Sequence, residues 1–459
     1  MTKIKENQQN GSLTSQERRP KMSSDNLLLG GFQDFLPERM LPRNALIATA
    51  RSCFERFGFL AQDTPCVERA ELLLGRYGEG EKLIYSFRDR GARLVSLRYD
   101  LTVPLSRIIK MYADKISFPY RRYQVGMVWR ADRPGKGRYR EFMQMDADII
   151  DDDSVLADVE ILLLANYLMG SLGAQAVVRF NCRQILDALV EVCGLSGAEG
   201  VNLMRIIDKF DKVGKSGVLA ELNEAGFAGN VIKQVDAYLK IGGTNGEVLS
   251  GLADLLNGAS TFQSGFERLC VIIDAIKQFD DRIANLKIDP TIARGLDYYT
   301  GVIFETALFA NPDFGSVCSG GRYDRLIEHP DGRMLPSIGL SVGIDRLFSA
   351  MESINKAPSI KTTTQVFIVS FDDGAIAEYL KLADELRRAA VTVEIFSRSI
   401  KVAKQMKVAN SRNVPLVLLV GSDEMSRSQV VLKDMRTGVQ KVVARSEIVS
   451  AVLQALDTK

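Results

Sequence analysis

Apolar residues along this chain change period several times, and each change marks an element. Leu46, Ile47, Ala50, Cys53, Phe54 and Phe57 fall on one helical face, and Gly58 ends that helix before a short strand running to Pro65. Leu83 to Phe87 and Leu94 to Leu97 read as paired strands around Asp89-Arg90-Gly91. Arg98-Tyr99-Asp100-Leu101-Thr102 then leads into Pro104, which opens a helix. Tyr123, Val125, Met127 and Trp129 alternate with Gln124, Gly126 and Val128, which predicts a strand with one buried face. Pro134, Gly135 and Gly137 break the alternation, and Phe142, Gln144, Asp146 and Asp148 resume it, so the segment reads as strand, basic loop, strand.

Further on, Asp153-Ser154 caps a long apolar helix to about Gly170, and Ala176 to Asn181 is a strand. From about Cys182 to Leu286 the pattern is helical almost throughout, with glycine breaks. Strand character returns at Ile288, and Ser337 to Met351 is a glycine-marked strand running into a helix. Residues 352–364 are polar and broken, as a linker is. The remainder alternates strand and helix, the rhythm of a compact α/β unit with a mostly parallel sheet. The division expected is a disordered tail over 1–28, a β-rich α+β core over 29–351 carrying a helical insertion at about 184–286, the linker, and an α/β domain over 365–459.

Composition narrows the chemistry. Hydrophobic residues make up 46% and charged residues 25%, the proportions of a soluble globular protein. A net charge of +2 means that any nucleic-acid surface is a local patch. The six cysteines show no CxxC spacing, which argues against zinc and disulfides, for a reducing compartment, and for buried apolar roles. No apolar run reaches membrane-spanning length, and the N-terminus lacks a signal-peptide core, so a cytoplasmic location is expected. The single histidine, His329, lies in the turn-like EHPDGR, where a solvated loop side chain is expected. A histidine-based triad or a His-rich metal site would have to use it, so no metal centre is assigned.

Three stretches carry candidate chemistry. Around the hairpin loop sit Arg130, Arg133, Lys136, Arg138 and Arg140; they are either a solvated tip or a cradle in which planar guanidinium groups meet phosphate oxygens. Asp100 and Thr102 at a strand end either accept from an ammonium group or cap the following helix. Arg398, Lys401, Lys404, Lys407 and Arg412 form a basic stretch without an acid, either a solvated helix face or an RNA contact.

The string WRADRP…GRYREFMQ resembles motif 2 of the class II aminoacyl-tRNA synthetases, in the form found in the histidyl-tRNA synthetases. Arg294-Gly295-Leu296-Asp297-Tyr298-Tyr299 matches that family's histidine-specific signature. The first helix, strand and Pro65 are similar to motif 1, and Ser337 to Met351 to motif 3. The resemblance implies an antiparallel-sheet catalytic core, a C-terminal anticodon-binding domain and a homodimer built on motif 1. Implied substrates are L-histidine, ATP with Mg2+, and tRNA-His. It places Arg130 on the α-phosphate, Arg346 near the γ-phosphate and adenine, Phe142 on adenine with Asp132 nearby, and Arg294 on the developing charge. Asp100, Thr102 and Gln144 fall to the amino and carboxylate end of histidine, and Tyr298, Tyr299, Asp148 and Tyr323 to its ring. Arg398, Lys401, Lys404 and Lys407 fall to tRNA. Many bacterial members carry Glu where this chain has Asp132 and Asp148. Catalytically inactive relatives that serve as regulatory subunits or tRNA sensors are the alternative; they tend to lose the arginines or the C-terminal domain.

Overall fold

The computed structural model describes residues 27–75, 78–279, 285–293, 298–398 and 400–457. The tail expected to residue 28 therefore falls almost wholly outside the described residues, and so do Arg294, Gly295, Leu296 and Asp297.

Strands are numbered along the chain: β1 Leu60–Ala61, β2 Val67–Arg69, β3 Ser86–Arg88, β4 Leu94–Leu97, β5 Tyr120–Trp129, β6 Glu141–Ile150, β7 Ala176–Cys182, β8 Leu286–Ile288, β9 Val302–Leu308, β10 Cys318–Arg322 and β11 Ser337–Gly343. An eight-stranded sheet runs in the order β1-β5-β6-β11-β10-β9-β7-β8. Every pairing from β5 to β7 is antiparallel, and the edge pairs β1–β5 and β7–β8 are parallel. Helix Pro37–Arg56 buries Leu46, Ile47, Ala50, Cys53 and Phe54, the face its spacing predicts, and packs on helix Val155–Ser171. Ser154 Oγ caps the latter by accepting from Ala157 N at 3.2 Å.

The expected helical stretch is present from Arg183–Val192 through Phe262–Ile276. Its core is continuous with the sheet: Leu186, Leu203, Val235, Leu252 and Leu269 share one buried cluster with Val178, Phe180 and Phe304.

The alternation in β5 predicts one buried face, whereas both faces are enclosed: Tyr123 on the apolar face is buried in the core with Val125 packed against it, and the polar face is buried too. Arg122, Gln124, Gly126 and Val128 are buried, while Val125, Met127 and Trp129 are half-buried. The enclosed polar groups are held in part: Gln124 Nε2 donates to Asp63 Oδ1 and to Thr64 Oγ1, each at 2.9 Å, while Gln124 Oε1 and Arg122 Nε and NH1 make no hydrogen bond within the described residues. Apolarity marks residues that avoid water, whereas polar residues with partners can be enclosed as well. The strand expected from Leu83 starts only at Ser86, because Gly78–Leu83 is a 3-10 turn whose Leu83 carbonyl accepts from Ala131 N at 2.9 Å. Two cysteines also depart from expectation: Cys66 is exposed and Cys270 half-buried.

The C-terminal strands β12 Val366–Val369, β13 Val393–Ile395, β14 Leu416–Leu419, β15 Gln429–Asp434 and β16 Gln440–Ala444 form a second sheet in the order β13-β12-β14-β15-β16. It is mixed rather than mostly parallel: β12 pairs in parallel with β13 and β14, whereas β14–β15 and β15–β16 are antiparallel. The short link from Asp434 to Gln440 has no room for the crossover a parallel pair requires. Val366 and Ile368 face one apolar cluster, and Phe367 and Val369 the other. That explains why the VFIV run is apolar without alternation.

Candidate active site

A cleft of 670 Å³ opens over the central strands β6, β10 and β11. Its lining includes Asp100, Thr102, Arg130, Asp132, Phe142, Gln144, Asp148, Tyr298, Tyr299, Tyr323 and Arg346. Every described residue assigned from the sequence to the amino acid or the nucleotide thus reaches one cavity; Arg294 lies outside the described residues. Gly343, Ser341 and Gly339 of β11 stand opposite Gln144, Asp146 and Asp148 of β6, so small residues leave room beside the long ones.

Arg130 leaves the end of β5 and is held on several sides. Its Nε donates to Tyr99 O at 3.0 Å and its NH2 to Gln144 Oε1 at 3.2 Å. The guanidinium lies 4.4 Å from the Tyr99 ring centre and 5.3 Å from that of Phe142. The loop beyond closes through mutual Gly135–Arg138 backbone bonds at 3.0 Å, and Asp132 pairs with Arg138 at 2.8 Å. Gly137 has φ +67°, and a Cβ there would meet Phe314 Cζ at 2.6 Å, so glycine is required both for the turn and for the contact.

Arg346 sits in the first turn of helix Ile344–Ser353. Its Nε donates to Ser316 O at 2.7 Å, and its guanidinium lies 5.1 Å from the Phe314 ring centre. The adjacent Asp345 is buried; it pairs with Arg43 of helix Pro37–Arg56 at 2.6 Å and accepts from Met143 N at 2.7 Å. This clamp sets where Arg346 emerges.

Asp100 caps a helix and also faces the cleft. Its Oδ1 accepts from Thr102 N at 3.1 Å and Val103 N at 3.0 Å, capping helix Thr102–Tyr112, while the residue still lines the cleft. The strand end is anchored by the buried Arg98, which donates to Met127 O at 2.8 Å and Thr64 O at 2.5 Å. Arg98 NH2 occupies space 2.2 Å from where a Cβ on Gly126 would stand.

Beneath the cleft, Arg122 and Asp148 form an ion pair at 2.7 Å with side chains 0% and 3% exposed. Arg122 NH2 also donates to Leu101 O at 3.1 Å. Tyr323 donates its hydroxyl to Asp148 Oδ1. Burial pushes the Asp148 carboxyl above its usual range, with Arg122 and Tyr323 opposing. Asp146 is pushed up to about 7, first by burial and then by Asp148, against Arg122, Ser341 and Gln144. Burial raises the Tyr299 and Tyr323 hydroxyls well above their ordinary range, so both stay protonated donors. The rings of Tyr298 and Tyr299 lie 4.3 Å apart, and Tyr298 is 43% exposed toward the opening.

The paired glycines Gly320 and Gly321 let neighbouring backbone approach closely, and Gly320 also lines the cleft. A Cβ on Gly320 would meet Gly339 O at 2.1 Å, and one on Gly321 would meet Val302 O at 2.6 Å. Residues that pattern alone leaves unassigned are Arg122, Asp146, Arg98, Asp345 and Lys212, an insertion-helix residue that also lines the cleft. Arg122 carried one signal: it lies in phase with Gln124 and Gly126, opposite Asp148 in register.

His329 lies outside the cleft lining, its Nδ1 2.9 Å from Asp331 Oδ1 and its ring edge-on to Phe118. Arg398, Lys401, Lys404 and Lys407 are exposed around helix Val402–Ser411, whereas Arg412 pairs with Glu394 at 2.5 Å. Among the described residues no cluster of His, Cys, Asp and Glu is arranged to hold a metal ion, and no helix is long and apolar enough to cross a membrane.

Comparison with known proteins agrees with this geometry. The histidyl-tRNA synthetase family profile matches residues 31–347, and an anticodon-binding domain profile matches 365–455. The chain is 39% identical to the histidine–tRNA ligase of Rhodopirellula baltica, over 93% of this chain and 98% of that protein. It is 38% identical to the histidine–tRNA ligase of Clostridium tetani over the same shares. The crystal structure of histidyl-tRNA synthetase from Nostoc sp. PCC 7120 superposes with a TM-score of 0.84 at 29% identity, covering 93% of this chain and 98% of that one. With its arginines and tyrosines gathered over one mainly antiparallel sheet and an anticodon-binding domain following in the sequence, this chain belongs to the histidyl-tRNA synthetase family.

Proposed function

We propose that this chain is a histidine–tRNA ligase: it activates L-histidine with ATP to histidyl-adenylate and passes the histidyl group to the 3′ end of tRNA-His, releasing diphosphate and AMP. The observation that carries the reading is the meeting of Arg130, Arg346, Gln144, Tyr299 and Tyr323 in one cleft. In the first step the histidine carboxylate attacks the α-phosphate in line and diphosphate leaves. The nucleophile is already an anion, so the task is positioning and charge stabilisation rather than proton removal.

Arg130 meets the α-phosphate, Phe142 stacks on adenine with Asp132 nearby, and Arg346 covers the other adenine face and the γ-phosphate region. Arg294 stabilises charge from the opposite side. Asp100, Thr102 and Gln144 take the amino and carboxylate end of histidine. Tyr298, Tyr299 and Tyr323 enclose its ring, with Asp148 orienting the Tyr323 hydroxyl. ATP enters as its Mg2+ complex, so the ion arrives with the nucleotide. Lys401, Lys404, Lys407 and Arg398 face tRNA.

A homodimer is supported by the three-stranded sheet β2-β4-β3. Its inward face carries the buried Glu68 and Ser96, while Val67 and Phe87 on the other face are 44% and 47% exposed. An apolar face turned outward over a polar one is what a second subunit covers. Ile47, Ala48, Val125 and Met143, with the polar Asn44, Arg51, Ser52 and Glu55, line a separate groove between helix Pro37–Arg56 and strands β5 and β6. Location in the cytoplasm goes with this role. Purified protein assayed for ATP–pyrophosphate exchange with each of the twenty amino acids tests the assignment: exchange with histidine alone is expected, and none with any amino acid would favour a regulatory subunit.

A further inference from the structure

Asp146 lies on the floor of the cleft, 1% exposed, between Gln144 and Asp148 on β6. Both of its oxygens accept from Gln144 Nε2, at 3.0 and 3.1 Å. At the other end of the same amide, Gln144 Oε1 accepts from Arg130 NH2 at 3.2 Å. An ionised carboxylate only accepts and a guanidinium only donates, so the amide between them has one permitted orientation. We infer that Asp146 is a positioning residue: it fixes the Gln144 amide with its oxygen toward Arg130 and the α-ammonium group of the substrate. This rests on the assignment of Gln144 to the amino-acid substrate.

The proton on Asp146 then acts as a switch on that orientation. A protonated carboxyl donates as well as accepts. Bonded to Gln144 Oε1, it would turn the amide NH2 toward Arg130, donor against donor. The groups facing Asp146 are Asp148 on its own strand, Arg122 on β5, Ser341 on β11, Cys318 on β10, and the tyrosines Tyr298 and Tyr299. Among them the carboxyl is pushed up to about 7. An arriving ammonium group favours the ionised form, so amino-acid binding and ionisation of Asp146 are coupled in both directions.

The test is histidine-dependent ATP–pyrophosphate exchange by the full chain from pH 6 to 8.5. Variants are Asp146→Asn, Gln144→Glu and the double Asp146→Asn/Gln144→Glu, with a melting temperature taken for each. Asp146→Asn offers either end of an amide to Gln144 and releases its orientation. At pH 8 the KM for histidine is expected to rise roughly tenfold, the scale of one charge-assisted hydrogen bond, with kcat changed less. The ratio of variant to wild-type KM should fall toward one at pH 6, where wild-type Asp146 carries its proton too. Taking the ratio cancels the titration of the substrate's own imidazole. The double variant exchanges the polarity of the pair: the new amide donates, and the new carboxylate accepts on both sides. Its KM should return toward wild type, whereas Gln144→Glu alone puts two carboxylates in contact and should not.

A purely structural role would lower melting temperature and kcat together and give no recovery. A KM ratio that is flat with pH overturns the inference, as does a folded double variant without recovery. If Asp146→Asn does not fold, Asp146→Ser takes its place in the pH comparison. A wild-type protein without histidine-dependent exchange would instead overturn the proposed function.

Discussion

Arg122 and Asp148 are joined at 2.7 Å in the floor of the cleft, from adjacent strands and almost without solvent. The pair explains why a charged strand residue is enclosed and why Gly339 stands opposite it. Removing one partner leaves the other charge buried. Arg122→Met is expected to destabilise the fold by about 3–5 kcal/mol. Asp148→Asn keeps the acceptor for Tyr323 but leaves the Arg122 guanidinium, which cannot shed its charge, without a counter-ion, so it should destabilise as well and also show its effect in the KM for histidine. Urea unfolding of both variants beside exchange kinetics checks this; equal stability for Arg122→Met and wild type would contradict it.

Gly339→Ala is the complementary change. A Cβ there would stand 2.0 Å from Asp148 Oδ1 and 2.9 Å from Ala147 O. Backbone on a paired strand cannot give way, so the carboxylate must move. A loss of about 1–3 kcal/mol is expected, together with a raised KM for histidine. An alanine variant with wild-type melting temperature and KM would show the contact to be looser than the geometry indicates.

Stability should also depend on pH through Asp146. Its carboxyl holds the proton more tightly when folded, with a value of about 7 against 3.8 for the exposed group. A raised acid is neutral, and without penalty, at low pH; the penalty grows as pH rises from 3.8 and is complete above 7. Three units correspond to on the order of 4 kcal/mol, and Asp148 shifts in the same direction. Asp146→Asn should therefore unfold at higher urea than wild type at pH 8, with the gap narrowing by pH 5. A constant gap across that range counts against the buried carboxyl as its source.

Loss of Arg130 should act on the transition state. Arg130→Ala is expected to slow exchange by roughly 10²–10³, the effect of one donor to developing charge, while circular dichroism stays that of wild type. Arg294→Ala should do the same, on the strength of the signature that carries it. Near-normal exchange in either variant would remove that residue from the mechanism.

The C-terminal cations have a separate readout. Lys404→Glu/Lys407→Glu should raise the KM for tRNA in aminoacylation and flatten its dependence on salt, because phosphate contacts release counterions. A salt slope like that of wild type would leave the basic stretch a solvated helix face.

Much of this protein is written locally. The spacing of Leu46, Ala50, Cys53 and Phe54 settles a helix face, Pro134 to Gly137 settles a hairpin, and the strings around Arg130, Tyr299 and Arg346 settle the family, because each depends on neighbours a few residues away. What only the tertiary structure decided is how distant segments meet. Residues 122 and 148 become partners through a register, residues 43, 143 and 345 through a clamp, and Asp146 gains its proton affinity from enclosure within the sheet and from Asp148. The period of β5 left the burial of its second face unread for the same reason: burial of a polar side chain depends on partners, and those partners are remote in the chain.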